Sequence, residues 1–237
     1  MTGDEIHGLI SELYPICRSI TGNGVRRTLR RLAEEVPLEV HEVPSGTSVL
    51  DWTVPDEWNV REAFIEGPDG TRIVDFADQT LHLVSYSVPV DAELSLEELR
   101  PHLHSLPEQP DLIPYRTSYY QPDWGFCLPH RVLEALEPGT YRVRIDTDLG
   151  PGSLTYGELF IAGEEDEEVV VSVHCCHPSL ADDNLSGIGV AVALAQALAQ
   201  RPHRFGYRFL FIPGTIGSIT WLARNRSTLD GIRAGLV

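Results

Sequence analysis

The stretch Glu168-Val169-Val170-Val171-Ser172-Val173-His174-Cys175-Cys176-His177-Pro178-Ser179-Leu180-Ala181-Asp182-Asp183-Asn184-Leu185-Ser186-Gly187 decides how the chain is read. Its first part is a continuous run rich in valine, which suits a strand covered on both faces in a mixed or parallel sheet. The run ends at His174. A polar loop through Asp183 then leads to a helix expected over 187–200, with Asn184 or Ser186 as its cap. A second buried strand follows at Arg208-Phe209-Leu210-Phe211-Ile212, and another helix over 216–224. Strand, loop, helix and strand in this order make an α/β unit. In open α/β sheets ligands bind beyond the carboxyl ends of the strands. Both the His174 loop and the Pro213-Gly214-Thr215 turn are expected at such places.

Toward the N-terminus, Ile6, Leu9, Ile10, Leu13 and Ile16 recur at helical spacing. Thr21-Gly22-Asn23-Gly24 interrupts the pattern, Val25, Leu29 and Leu32 resume it, and Leu38, Val40 and Val43 begin a strand. From Pro44 to about Tyr141 prolines and aromatics are dense. Short extended runs such as Leu81-His82-Leu83-Val84-Ser85-Tyr86-Ser87-Val88 alternate there with turns like Pro68-Asp69-Gly70, as in a β-rich subdomain. The expected organisation is an α/β core from residues 1–45 and 146–237, interrupted by a β-rich insert over 46–145.

The 237 residues are 42% hydrophobic and 22% charged, the balance of a folded chain long enough to bury its own core. Acids number 35 against 18 bases, giving a formal charge of −17, and every base is arginine. Without lysine the chain has no Walker-type phosphate lysine, no Schiff-base lysine and no lysine general base. The acidity argues against nucleic acid or an anionic membrane as partner. Cys17, Cys127, Cys175 and Cys176 do not form a disulfide framework at this size. The acidic opening carries no apolar signal segment, and no apolar stretch is long enough to span a bilayer. The expectation is a soluble cytoplasmic protein.

Between His174 and Asp183 lie two imidazoles, two thiols and two carboxylates. Zinc takes imidazole nitrogen and carboxylate oxygen well, and a pair of zincs is often bridged by one carboxylate. A His at a strand tip and an Asp at a helix start can face a common point. The plain alternative is a polar loop whose Asp and Asn cap the next helix. Cys176 beside His177 raises a thiol hydrolase as another class, but neighbours in sequence rarely face each other as a catalytic pair must. Ser186 lacks the surroundings of a nucleophile elbow.

Asp183-Asn184-Leu185-Ser186-Gly187 after a strand-terminal His resembles the metal-site signature of zinc-dependent aminopeptidases with two co-catalytic zincs. More closely, the chain resembles a branch of uncharacterised aminopeptidase-like proteins, some connected with polysaccharide biosynthesis. The marks are Tyr14-Pro15-Ile16-Cys17-Arg18-Ser19-Ile20-Thr21-Gly22, Asp51-Trp52-Thr53-Val54-Pro55-Asp56-Glu57-Trp58 and Leu106-Pro107-Glu108-Gln109-Pro110. Further on come Tyr119-Tyr120, Trp124-Gly125-Phe126-Cys127, Gly152-Ser153-Leu154-Thr155-Tyr156-Gly157-Glu158 and Cys176-His177-Pro178-Ser179. The resemblance implies a zinc-exopeptidase-like α/β fold, a mixed sheet flanked by helices, with an inserted β-rich subdomain. It implies metal-dependent hydrolysis of an amide bond next to a free amine, by an aminopeptidase or a small-molecule deacylase. The implied substrate is a small peptide or an aminoacylated small molecule. By analogy His174 is a zinc ligand and Asp183 the carboxylate bridging two zincs. His177 is either a ligand or a residue that orients one, and Cys175 and Cys176 are packing residues. Arg116, Tyr120 and Trp124 are the implied substrate-binding residues, with ordinary β-domain packing as their alternative. Trp52 and Trp58 with Asp51, Asp56 and Glu57 are read as core plugs and solvated acids or as a substrate rim.

Two departures follow. The resembled proteins have Pro-Glu-Thr-Ile-Gly-Ser where this chain has Pro213-Gly214-Thr215-Ile216-Gly217-Ser218. The glutamate that would serve as base or ligand is therefore Gly214, and no catalytic residue is intact. General-base catalysis contributes about 10²–10⁴-fold, so its loss alone bears on activity. The resembled proteins are also longer and carry an Asp and a His ligand beyond the position of Val237. Three readings stand: a fragment or half of a split protein, a pseudoenzyme retained for binding, or an enzyme with altered chemistry. The partner implied by the first is a complementary chain or a further copy in a homo-oligomer. The alternative function is a non-catalytic pseudo-aminopeptidase acting as a binding or partner subunit.

Overall fold

In the computed structural model, which describes residues 1–237, the β-branched run forms the strand Glu168–His174 of a five-stranded mixed sheet. Across the sheet the strands are Glu39–Pro44, Ser153–Ile161, Gly206–Ile212, Glu168–His174 and Ile232–Leu236. Glu168–His174 runs parallel to both its neighbours, and Gly206–Ile212 is antiparallel to Ser153–Ile161. The helix Ser186–Leu198 makes the crossover between the two strands read from the sequence. The parallel register sets His174 opposite Ile212, so these strands end side by side.

Alternation decides what each face buries. Val171, Val173, Phe209, Phe211 and Leu159 enter one core with Leu9 and Leu13 of the helix Gly3–Leu13. Val25, Leu29 and Leu32 of Asn23–Leu32, and Ile188, Val192 and Ala195 of Ser186–Leu198, complete it. The intervening positions carry polar work. Arg208 pairs with Glu168 at 2.7 Å and also with Glu158, which accepts from Trp221 Nε1 at 3.0 Å. Trp221 belongs to the helix Ile216–Arg224. The first helix begins in a capping box between Thr2 and Glu5. Arg26 fixes the second helix through Glu57 and Glu42, each at 2.6 Å.

The chain divides into two units, Met1–Glu57 with Gly150–Val237, and Trp58–Leu149. The second unit is built on a four-stranded sheet in the order Arg72–Asp75, Glu57–Glu66, Thr140–Gly150, Val90–Ser95. Tyr141, Val143 and Ile145 are its buried alternate positions on one strand. Trp58 is core: it stacks on Tyr86 at 5.5 Å and donates from Nε1 to the Ser87 carbonyl at 3.0 Å. Trp52, by contrast, is exposed.

Two local expectations are corrected. Residues 81–88 do not form a strand: Thr80–His82 is a 3-10 turn, and only the bridges Leu83↔Phe126 and Ser85↔Thr117 follow. Further along, Tyr86, whose φ of 68° lies in the left-handed region, interrupts the extended backbone. The helix after the loop that follows His174 starts at Ser186 and has no side-chain cap. Ser186 Oγ donates instead to the Asp182 carbonyl at 3.1 Å, and Asn184 is turned toward His174.

Candidate metal centre

His174 is the last residue of its strand, and the loop that follows returns Asp183 to it. Asp183 Oδ1 accepts from His174 Nε2 at 2.6 Å and lies 3.3 Å from His177 Nδ1. One ligand atom from each of the three residues falls within 4.8 Å of the others. The two imidazoles meet edge to face, with centroids 4.9 Å apart. Both rings are partly buried while Asp183 is 56% exposed, so the cluster opens to solvent on the carboxylate side. Burial would raise the Asp183 carboxyl, but the His174 hydrogen bond and the neighbouring His177 outweigh it and hold the group below its ordinary value. A carboxylate that stays ionised between two imidazoles is a hard and borderline donor set suited to zinc. His177, for which a ligand and an orienting role were both open, has its ring at the cluster.

The loop gets its shape from Asn184, expected from the sequence as a helix cap, and from Gly187, expected as the first residue of that helix. Asn184 Nδ2 donates to the His174 carbonyl at 3.4 Å and lies 3.4 Å from His174 Nδ1. Turned over, the same amide would accept from Nδ1–H and leave Nε2 free for a metal. Asn184 can fold back only because position 187 is glycine: a Cβ there would lie 2.2 Å from Asn184 Oδ1. The Asp183–Asn184 peptide bond is cis. The spacing Asp-Asn-x-x-Gly carried this signal, since it combines the ligand, the residue behind it and the space that residue needs.

The neighbouring strand exit brings Gly214 to the same place. Its N–H donates to Cys176 Sγ at 3.2 Å. A Cβ at 214 would sit 3.7 Å from His174 Cβ and 3.5 Å from Cys176 Sγ, both ordinary contacts. A side chain there would thus start beside the cluster without a clash. Thr215 follows at φ 55° and ψ −72°, and Ile216 N donates to the Gly214 carbonyl at 2.7 Å. This is the strained form of γ-turn, a conformation that accumulates at functional sites.

The thiols do not join the cluster. Cys175 is in the core, and burial raises its pKa. Burial also pushes the Cys176 thiol up to about 11. Both are protonated near neutral pH, which removes the nucleophile that a thiol hydrolase needs. Arg116, Tyr120 and Trp124 lie in the inserted unit. Arg116 and Tyr120 are exposed, and the Arg116 carbonyl accepts from Ser85 N at 3.0 Å. Trp124 stacks on His102 at 3.6 Å, and its carbonyl lies 3.0 Å from His102 Nδ1.

The mixed sheet with its flanking helices is an aminopeptidase-like α/β fold. The fold is shared with a zinc aminopeptidase from Bacillus subtilis, TM-score 0.64 at 12% identity, over 98% of this chain and 67% of that one. A peptidase M28 precursor from Shewanella amazonensis shares it too, TM-score 0.61 at 9% identity, over 97% and 69% of the two chains. The chain belongs to the family described as Domain of unknown function (DUF4910), whose profile matches residues 7–237. It is 51% identical over 236 residues to a Clostridium acetobutylicum protein provisionally named a polysaccharide biosynthesis protein with aminopeptidase-like domain. That match covers 100% of this chain and 54% of the relative. A crystal structure from C. acetobutylicum, provisionally named a peptidase, superposes with TM-score 0.97 at 51% identity, over 98% of this chain and 55% of that one. The chain therefore spans about half the length of these relatives.

Proposed function

We propose that this chain carries part of a zinc site for hydrolysis of an amide bond next to a free amine, as in an aminopeptidase or a small-molecule deacylase. The observation that carries the reading is the convergence of His174, His177 and Asp183 at one strand end. Likeness in fold to zinc aminopeptidases supports it. His174 and His177 would hold zinc through imidazole nitrogen and Asp183 through carboxylate oxygen, with Asp183 placed to serve two ions in a complete site. Zinc, when bound, supplies Lewis-acid polarisation of the scissile carbonyl. The chain's own residues do the rest of what is assigned here. Asn184 orients the His174 ring. Asp183 stays ionised and leaves its exposed side to the substrate. Within the inserted unit, the exposed Arg116 and Tyr120 and the residue Trp124 are assigned to ligand binding, the Arg116 guanidinium suiting a carboxylate.

A second reading has its own observation. Gly214 has no side chain with which to move a proton beside His174, so the chain would bind metal and ligand without hydrolysis, as a pseudo-aminopeptidase or a partner subunit. The two readings share the metal and differ in turnover. Elemental analysis of the purified chain tests the shared part. Zinc bound stoichiometrically and reduced to background in His174→Ala and Asp183→Ala is the expected result. Equal zinc in all three proteins would overturn the site. Release of aniline from aminoacyl anilides by the zinc-loaded protein then separates hydrolase from binder.

A further inference from the structure

The segment between the first two helices holds an arginine to which no role has been assigned. Arg18 is 1% exposed, the largest side chain so completely buried. Its Nε donates to the His177 carbonyl at 2.9 Å and its Nη2 to the Pro178 carbonyl at 3.2 Å. Its Nη1 donates to the Leu13 carbonyl, at the end of the first helix, at 2.7 Å. Alongside, Ser179 Oγ donates to the Tyr14 carbonyl at 2.8 Å. One guanidinium thus joins the end of the first helix to two consecutive peptides of the metal loop.

We propose that Arg18 is the positioning residue of the metal cluster, acting on zinc through the main chain of His177. The inference rests on the zinc reading above. Burial of a guanidinium against neutral carbonyls is expensive, and an apolar side chain of similar volume would serve stability at least as well. The surroundings do oppose the charge, since burial lowers the Arg18 pKa to about 10. What an apolar residue cannot do is hold three carbonyls from two segments in one plane, and a lysine ammonium has no fork with which to do so. His177 lies between the two restraints. Its carbonyl is fixed by Arg18, and its Nδ1 stands 3.3 Å from Asp183 Oδ1. Fixing the peptide fixes the base from which the ring projects, so the cluster meets an incoming ion already assembled. The segment is shaped to bring Arg18 there. Gly24 packs against it so closely that a Cβ would fall 1.7 Å from the Cys17 carbonyl oxygen.

Chelator-competition titration of the full chain with zinc, repeated with cobalt(II) to read the visible ligand-field bands, tests the proposal. Arg18→Lys and Arg18→Met are expected to weaken zinc by about 10–100-fold, the usual effect of removing a group that orients a ligand. The cobalt bands should shift or broaden in both. Ser179→Ala cuts a different tie between the same segments. It should lower the thermal midpoint and leave zinc affinity and the cobalt spectrum as in the unaltered chain. If Arg18→Met does not fold, Arg18→Lys decides. If neither folds, amide exchange in the unaltered chain decides: zinc should protect residues 14–19 together with 177–185. Protection confined to the loop would overturn the proposal, as would native affinity and spectrum in Arg18→Lys, or an equal loss in Ser179→Ala. Absence of zinc binding by the unaltered chain would instead bring down the metal reading itself, and the proposal with it.

Discussion

Two parallel strands end side by side in the first unit, and they end differently. Glu168–His174 finishes on an imidazole and opens into a loop that carries His177, Asp183 and Asn184. Gly206–Ile212 finishes beside it, His174 opposite Ile212, and opens into Pro213-Gly214-Thr215, where the residue facing the cluster has no side chain. The backbone at the bare exit is nonetheless pinned. Gly214 N–H is anchored to Cys176 Sγ, and Thr215 keeps its left-handed φ of 55°. An exit shape and its chemistry are therefore separable: a strained turn is present where the residue beside the cluster has no side chain.

The sharpest way to break this comparison is to fill the bare exit. Gly214→Glu should fold with little change in thermal midpoint, because its Cβ meets only ordinary contacts at 3.5 and 3.7 Å. In zinc-loaded protein it should raise aminoacyl anilide hydrolysis by about 10²–10⁴-fold, the usual weight of a general base. No gain with zinc bound would mean that the two exits differ by more than one carboxylate. Weakening the rich exit comes next. Asn184→Ala removes the amide behind His174 and should raise the zinc dissociation constant by about 10–100-fold in competition titration. An unchanged constant would reduce Asn184 to a loop residue.

A smaller effect is expected of Gly187→Ala. Its methyl would lie 2.2 Å from Asn184 Oδ1, so the loop must shift, at a cost of about 1–3 kcal/mol in urea unfolding. Smallest is Cys176→Ala, which takes the acceptor from Gly214 N–H and should cost about 1 kcal/mol by the same measurement, with Cys176→Ser recovering part of it. A larger loss would make the thiol a main support of the bare exit.

Much of this arrangement was legible in the residues. The β-branched run at 168–173 and the apolar run at 208–212 read as strands, and they appear as Glu168–His174, buried at Val171 and Val173, and Gly206–Ile212. The helix over 216–224 appears as Ile216–Arg224. Strand exit and ligand spacing together pointed at His174 and Asp183. Local pattern failed where a single backbone angle or a distant partner decides. Nothing in Leu81–Val88 announces that Tyr86 takes φ 68°. Nor does Asn184 announce that its amide serves His174 and not the helix.

Alternation and composition determined the sheet, its helices and the place where ligand side chains gather, because burial of apolar surface follows the local period of the chain. Which of those side chains meet, and what holds them, was decided only by tertiary structure. Arg18 and His177 stand 159 positions apart. A hydrogen bond between them has no period, and it exists because the mixed sheet and its helices bring the end of the first helix beneath the loop after His174.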